Sequence, residues 1–164
     1  MLITSTRDPS QQTRTLCKLL ARLFQAEYIN RGKASTREIF ARAIEKGHKQ
    51  VLIVGSFYGS PGSLAFYDAM GNCLLSLHIA ISKVTKERFF PRELILVGEG
   101  KLAQRFSQIL GLELNGIKEG KRMLIIEDKA LSFYEGEVED QRLLLKLKIF
   151  SIKYEGKNIL GIRL

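Results

Sequence analysis

The chain has 164 residues, of which 45% are apolar, and its 26 Lys and Arg outweigh 17 Asp and Glu for a net charge of +9. A chain of this length buries roughly 70% of its unfolded surface, so neither a disulfide nor a metal is needed to hold it. Cys17 and Cys73 are expected as unpaired thiols in a reducing compartment, no run of about 18 apolar residues predicts a membrane span, and no basic segment before an apolar run predicts a signal peptide.

In chain order, residues 2–6 read as a strand that ends in small hydroxyls and Arg7. A helix is predicted from about Pro9 to Ala26, with Asp8 as N-cap, Pro9 in the first helical position and Gln11 closing a capping box. Leu16, Leu19, Leu20, Leu23 and Phe24 form its apolar stripe, and Arg14, Lys18 and Arg22 follow on the other side at four-residue spacing. A short strand Glu27–Asn30 and the loop Arg31-Gly32-Lys33-Ala34 come next. Ser35-Thr36-Arg37-Glu38 is a capping box that opens a second helix, stopped by Gly47. Gln50–Val54 is a continuous apolar run, the pattern of a strand covered on both faces. The first third therefore reads β-α-β-α-β with parallel strands. Tyr58-Gly59-Ser60-Pro61-Gly62 reads as a turn-rich loop, and Ser63–Tyr67 and Leu74–Lys83 as a hairpin around Met70-Gly71-Asn72.

The second half repeats this plan in shortened form. Glu93–Val97 is a strand, Gly98-Glu99-Gly100 turns into a helix with Leu102, Phe106, Ile109 and Leu110 inward, and Met123–Glu127 is a further strand. Leu131, Phe133 and Tyr134 echo Leu64, Phe66 and Tyr67 at an offset of 67. The strand Leu144–Tyr154 echoes Leu74–Val84 at an offset of 70. The expected fold class is α/β, built as two related halves of about residues 1–83 and 92–164 that duplicate one unit, with the junction near Val84–Pro91.

The positive charge is uneven. Residues 1–49 carry a net +6, residues 50–82 a net −1 and the remainder +4. In a parallel α/β sheet the loops that follow the strands lie along one edge, where ligands bind. Three such loops supply Ser5, Thr6 and Arg7; Arg31 and Lys33; and Phe57, Tyr58 and Ser60. The helix starts add Ser10, Arg14 and Arg37, together with N-termini that carry partial positive charge and free N–H groups. Arg7, Arg14, Arg31, Lys33 and Arg37 suit phosphates, Ser5, Thr6, Ser10 and Ser60 suit hydrogen bonding, and Phe57 or Tyr58 suits stacking on an unpaired base. Five neutralised phosphates would give a log K against log salt slope of about −3.5 to −4.5.

No catalytic, metal or cofactor site is expected. Gly98-Glu99-Gly100-Lys101 lacks the spacing of a phosphate-binding Walker loop, His48 and His78 have no partner at ligand spacing, and Ser10 has no evident base. The acidic run Glu135, Glu137, Glu139 and Asp140 reads as a solvated hairpin tip. Two other readings use the same features: an enzyme handling a small phosphorylated or nucleotide ligand at the strand-end loops, and a protein-interaction module using the sheet face.

The segment Ile3-Thr4-Ser5-Thr6-Arg7-x-Pro9-Ser10-x-x-Thr13-Arg14, followed by Asn30-Arg31-Gly32-Lys33 and by Val51-Leu52-Ile53-Val54-Gly55 with Gly59-x-Pro61-Gly62, resembles the Brix domain family. The likeness is to its short, single-domain archaeal members related to the small-subunit processome protein. It is dense over residues 2–83 and thin afterwards, where the family's Gly-Pro-Arg-type motif is missing around Glu137–Leu147. The resemblance implies one Brix domain over residues 1–164, with two halves like the anticodon-binding domain of class IIa tRNA synthetases. It further implies a cytoplasmic ribosome biogenesis factor that binds rRNA or its precursor and assists its processing or folding. Proteins of the pre-ribosomal particle are the second class of partner it implies; no membrane, DNA or cofactor is expected.

Overall fold

The computed structural model describes residues 1–118, 121–136 and 138–162; Glu137 of the acidic run and the last two residues of the second half lie outside them. In chain order the elements are β1 (Leu2–Ser5), α1 (Gln11–Phe24), β2 (Glu27–Tyr28), α2 (Thr36–Glu45), β3 (Gln50–Phe57), β4 (Ser60–Asp68) and β5 (Cys73–Val84). Then follow β6 (Leu94–Gly98), α3 (Lys101–Leu110), β7 (Leu114–Asn115), β8 (Arg122–Glu127), β9 (Ala130–Glu135) and β10 (Arg142–Lys153). The strands form one mixed sheet in the order β2-β1-β3-β4-β5-β10-β9-β8-β6-β7. Read inward from either edge, the order follows one rule: a two-residue edge strand, the first strand of that half, then three strands in sequence. The two runs meet where β5 and β10 pair antiparallel, with Ile79 opposite Ile149.

Alternation along the strands sets the layers. Ile3, Leu52 and Val54 face one side and join Leu16, Cys17, Leu20 and Leu23 of α1 in the main core. Leu2, Val51 and Ile53 face the other side and pack under Ile39, Phe40 and Ala43 of α2. Two-sided cover explains the unbroken apolar run of β3. α3 lies on the α1 side through Leu102, Phe106 and Ile109. The main core crosses the seam: Phe24 meets Phe133 edge-on at 5.6 Å and Phe66 meets Phe106 at 5.5 Å. Arg105 Nη1 also donates to the carbonyls of Leu74 and Tyr154 at 2.9 and 3.1 Å. Burial pushes the Cys17 thiol up to about 12, so that cysteine behaves as a small core residue. Where the first half places α2, the second half passes from β7 to β8 with no helix among its described residues.

Local expectations are corrected in two stretches. The N-cap of α1 is Ser10, whose Oγ accepts from Thr13 N at 3.2 Å, and the helix starts at Gln11. Asp8 instead takes φ +53 and turns the chain out of β1, which leaves Pro9 ahead of the cap. The stretch Tyr58–Gly62 is not a loop. β3 and β4 pair as far as Phe57 opposite Ser60, and the turn is only Tyr58-Gly59, both at positive φ as a type I′ hairpin requires. A register shift beside Gly55 and Ser56 makes room for Pro61 and Gly62 within a strand, the bulge setting in which proline is tolerated. The edge strand β7 had no sequence signal of its own.

Candidate nucleic-acid interface

β1 lies between β2 and β3; the connection that leaves β1 runs through α1 on one face of the sheet, and the one that leaves its neighbour β2 runs through α2 on the other. The chain thus opens a crevice between the ends of β1 and β2, the position where open α/β sheets take ligands. Arg7 follows β1 and Arg31 follows β2. Together with Ser35, Thr36 and Arg37 at the start of α2, and Leu160 of the C-terminal segment, they line an open recess of about 700 Å³. Ser35 caps α2 by accepting from Glu38 N at 3.1 Å, which leaves other first-turn N–H groups free.

Arg31 is the centre of this recess. It is only 6% exposed. Its Nε donates to Ala34 O at 2.8 Å, Nη1 to Ser5 O at 3.1 Å and Nη2 to Thr36 Oγ1 at 3.2 Å. All three acceptors are neutral. Burial, and then the charge of Arg7, lowers the Arg31 pKa from its ordinary value, and no carboxylate acts in the other direction. No ion pair among the described residues involves Arg7, Arg31, Lys33 or Arg37. A buried, hydrogen-bonded cation beside a second cation, with no counter-charge, is a place where an anion lowers the energy.

The other expected site residues separate by location. Thr6, Arg7, Lys33 and Arg37 are exposed, and Arg37 Nη2 donates to Leu160 O at 3.3 Å. Ser5 is buried with its Oγ donating to Thr6 O, so it supports the recess from beneath and does not line it. Arg31 likewise acts largely as a strut between the β1 and β2 ends. Ser10 is used as the α1 cap and shares a hydrogen bond with Thr13 Oγ1, which in turn bonds Ser56 Oγ at 2.7 Å. Arg14 is exposed on α1, across the sheet from the recess. Phe57, Tyr58 and Ser60 form the exposed β3–β4 tip, with the Phe57 and Tyr58 rings 4.5 Å apart and edge-on. Thr36 and the segment around Leu160 were not foreseen as parts of the recess. Thr36 lay in plain view inside the capping box, whereas nothing local in residues 159–161 signals that the C-terminal segment reaches α2.

A separate charged cluster lies in the second half, where β8 begins, β9 ends and β10 begins. Arg122 is fully buried; its Nη2 donates to Glu135 Oε1 at 2.9 Å and its guanidinium lies 4.9 Å from the Phe89 ring centroid. Arg142 Nη2 donates to Glu135 Oε2 at 2.7 Å. Burial alone would raise the Glu135 pKa, but the bonds from Arg142 and Arg122 and the charges of Arg122 and Arg92 outweigh it and hold the carboxyl below its ordinary value. Glu135 is thus an internal counter-ion and not part of a solvated acidic tip.

A mixed α/β sheet, covered on both faces in its first half and bearing a cationic crevice at the chain's change of direction, is an α/β scaffold with a recess suited to an anion, and comparison with known proteins supplies the family. A probable Brix domain-containing ribosomal biogenesis protein of Methanococcoides burtonii is 36% identical over 136 residues, spanning 81% of this chain and 86% of that protein. A relative of the same description from Methanosarcina barkeri is 40% identical over 109 residues, or 65% and 68% of the two chains. The chain belongs to the family of Brix domain-containing ribosomal biogenesis proteins. Among solved structures, Mil, an archaeal Imp4-like protein, superposes with a TM-score of 0.73 at 24% identity over 94% of this chain and 99% of that one. A probable ribosomal biogenesis protein from Aeropyrum pernix gives 0.65 at 18% identity, over 90% and 93%. Both share the fold. No family model matches the chain. No helix among the described residues is long and apolar enough to cross a membrane.

Proposed function

We propose that this protein assists ribosome assembly in the cytoplasm by binding pre-ribosomal RNA through the recess at the start of α2. Arg7, Lys33 and Arg37 receive phosphates, Thr6 and Thr36 add hydrogen bonds, and Arg31 supplies fixed charge from within. The observation that carries this reading is Arg31, a buried guanidinium bonded only to neutral groups and facing Arg7. The names of the relatives supply the ribosomal setting. The charged groups among the described residues that line the recess are all arginines, which supports the binding of an anion there. Proteins of the pre-ribosomal particle are the other class of partner in this reading.

We also infer that residues 1–164 are a single Brix domain made by duplication of one unit like the anticodon-binding domain of class IIa tRNA synthetases. The sheet order supports the inference, as does the pairing of Ile79 with Ile149, which occupy equivalent places at the offset of 70. Only the first copy keeps the arginines at its crevice; the matching turn in the second is Gly98-Glu99-Gly100.

Crosslinking in cells followed by sequencing of the bound RNA tests the functional reading. Recovery dominated by rRNA precursors is expected, and an even scatter over messenger RNA would overturn it. In vitro, the four cations of the recess alone contribute about −2.8 to the log K against log salt slope on a single strand, less than the five-cation expectation because Arg14 faces elsewhere.

A further inference from the structure

A second concavity lies on the same face of the sheet as α2, a few strands from the arginine recess. Val51 and Ile53 point toward α2; alternation places Gly55 and Phe57 on that side too. On β5 and β10 the face continues through His78, Ala80, Lys148 and Phe150. Phe57, Ser60, Ser63, His78, Ala80 and Phe150 line a cleft of about 440 Å³. Its floor is small side chains and its walls are rings.

Both aromatic walls are built against the usual tendency to bury such groups. Phe57 is 68% and Phe150 64% exposed. Phe150 projects from a register shift between Ile149 and Ser151, a bulge that re-aims a side chain. Gly62 lies against Phe57, where a Cβ would stand 2.5 Å from the Phe57 Cβ, so glycine lets the two strands approach closely at the base of this side chain. The charge pattern next to the cleft is one-sided. Lys148 Nζ is 5.8 Å from the Phe150 centroid. Lys146 sits directly opposite Lys83 across the β5–β10 ladder, a like-charge pair that costs stability. No ion pair among the described residues involves Lys83, Lys146 or Lys148, and no carboxylate lines the cleft. Exposed rings over a floor of small side chains suit a nucleobase, and unneutralised lysines beside them suit its backbone. An acidic peptide would match the lysines but would leave the ring-walled floor without a flat partner.

We propose that this cleft receives one unpaired base of the bound RNA against the rings of Phe57 and Phe150, while Lys148, Lys146 and Lys83 carry the strand's phosphates across the seam into the second half. The proposal rests on RNA being the polyanion held at the arginine recess. It makes the protein a reader of single-stranded or bulged RNA, with the base contact made jointly by the two halves.

The chain has no tryptophan, which leaves the fluorescence of 2-aminopurine readable in its presence. A single-stranded RNA 12-mer carrying one central 2-aminopurine is titrated with the wild-type chain and with F57A/F150A, beside a blunt duplex of the same sequence. The wild type should quench the probe. F57A/F150A should lose the quench and bind the single strand about 5- to 100-fold more weakly, with the duplex affinity nearly unchanged; F57Y/F150Y should restore the quench. F150S alone, at an exposed position, gives the same reading should the double variant melt early. Equal single-strand binding and equal quenching by F57A/F150A would overturn the cleft while leaving the arginine recess standing. Failure of the wild type to bind either RNA would overturn both.

Discussion

Arg31 Nη1 donates to the carbonyl oxygen of Ser5 at 3.1 Å, tying the end of β2 to the end of β1. The bond places a full positive charge beneath the recess and also holds the recess in shape. Substitution here therefore mixes binding with stability. Arg31→Met should leave the Ser5 and Ala34 carbonyls without their donor and cost about 1–3 kcal/mol. It should also remove most of the rise in Tm that phosphate or RNA gives the wild type. Thermal melts with and without ligand separate the two effects; an undiminished ligand-induced rise in the variant would show that the anion does not depend on this charge.

Arg7 and Arg37 are exposed, so their charge can be reversed at little structural cost. R7E/R37E should lower single-strand RNA affinity on the order of tenfold or more and flatten the salt slope by about 1.4, since two phosphate contacts are lost. Arg14→Glu, on the far side of the sheet, should do neither. Anisotropy titrations over a range of salt concentrations measure both quantities, and an unchanged slope in the double variant would remove these residues from the interface.

These two expectations show how far the sequence could be read. Parallel strands, capped helices and a basic strand-end edge all follow from local patterns: the Ser35-to-Glu38 cap and the run Val51–Val54 are decided by neighbours within a few residues. What stayed hidden depends on contacts distant in the chain. Arg31 looked like a loop cation because its acceptors include Ser5, 26 positions away. Phe150 and His78 looked like ordinary alternating strand positions until β10 paired with β5 and brought them beside Phe57. Pro61 and Gly62 suggested a loop because a bulge that accommodates them leaves no simple periodicity.

Glu135 couples stability to acid. Its folded pKa is below its unfolded value, so its contribution is present above the ordinary carboxylate range and is lost as pH falls through the folded value. Glu135→Gln should flatten the acid limb of the stability curve. Glu135→Ala should be worse at neutral pH, by about 3–5 kcal/mol, because it takes from the fully buried Arg122 the hydrogen-bond acceptor as well as the counter-ion. Chemical denaturation between pH 3 and 7 measures this. A wild-type curve that matches Glu135→Gln throughout would mean the ion pairs contribute no pH-dependent stability.

Tyr58 takes φ +50 at a position where the ring is 94% exposed. An aromatic residue in the left-handed region is strained, and asparagine tolerates it better. Tyr58→Asn should raise stability by about 1 kcal/mol, read as a higher Tm. A lower Tm would mean that the edge-on contact with Phe57 outweighs the backbone strain.

The seam between β5 and β10 has a consequence for how this chain can be taken apart. With Phe24 lodged against Phe133 and Phe66 against Phe106, each run of five strands borrows part of its interior from the other. A protease nick between Val84 and Leu94 would therefore release nothing: the pieces should co-migrate as a non-covalent heterodimer, and either piece made alone should aggregate until its mate is supplied.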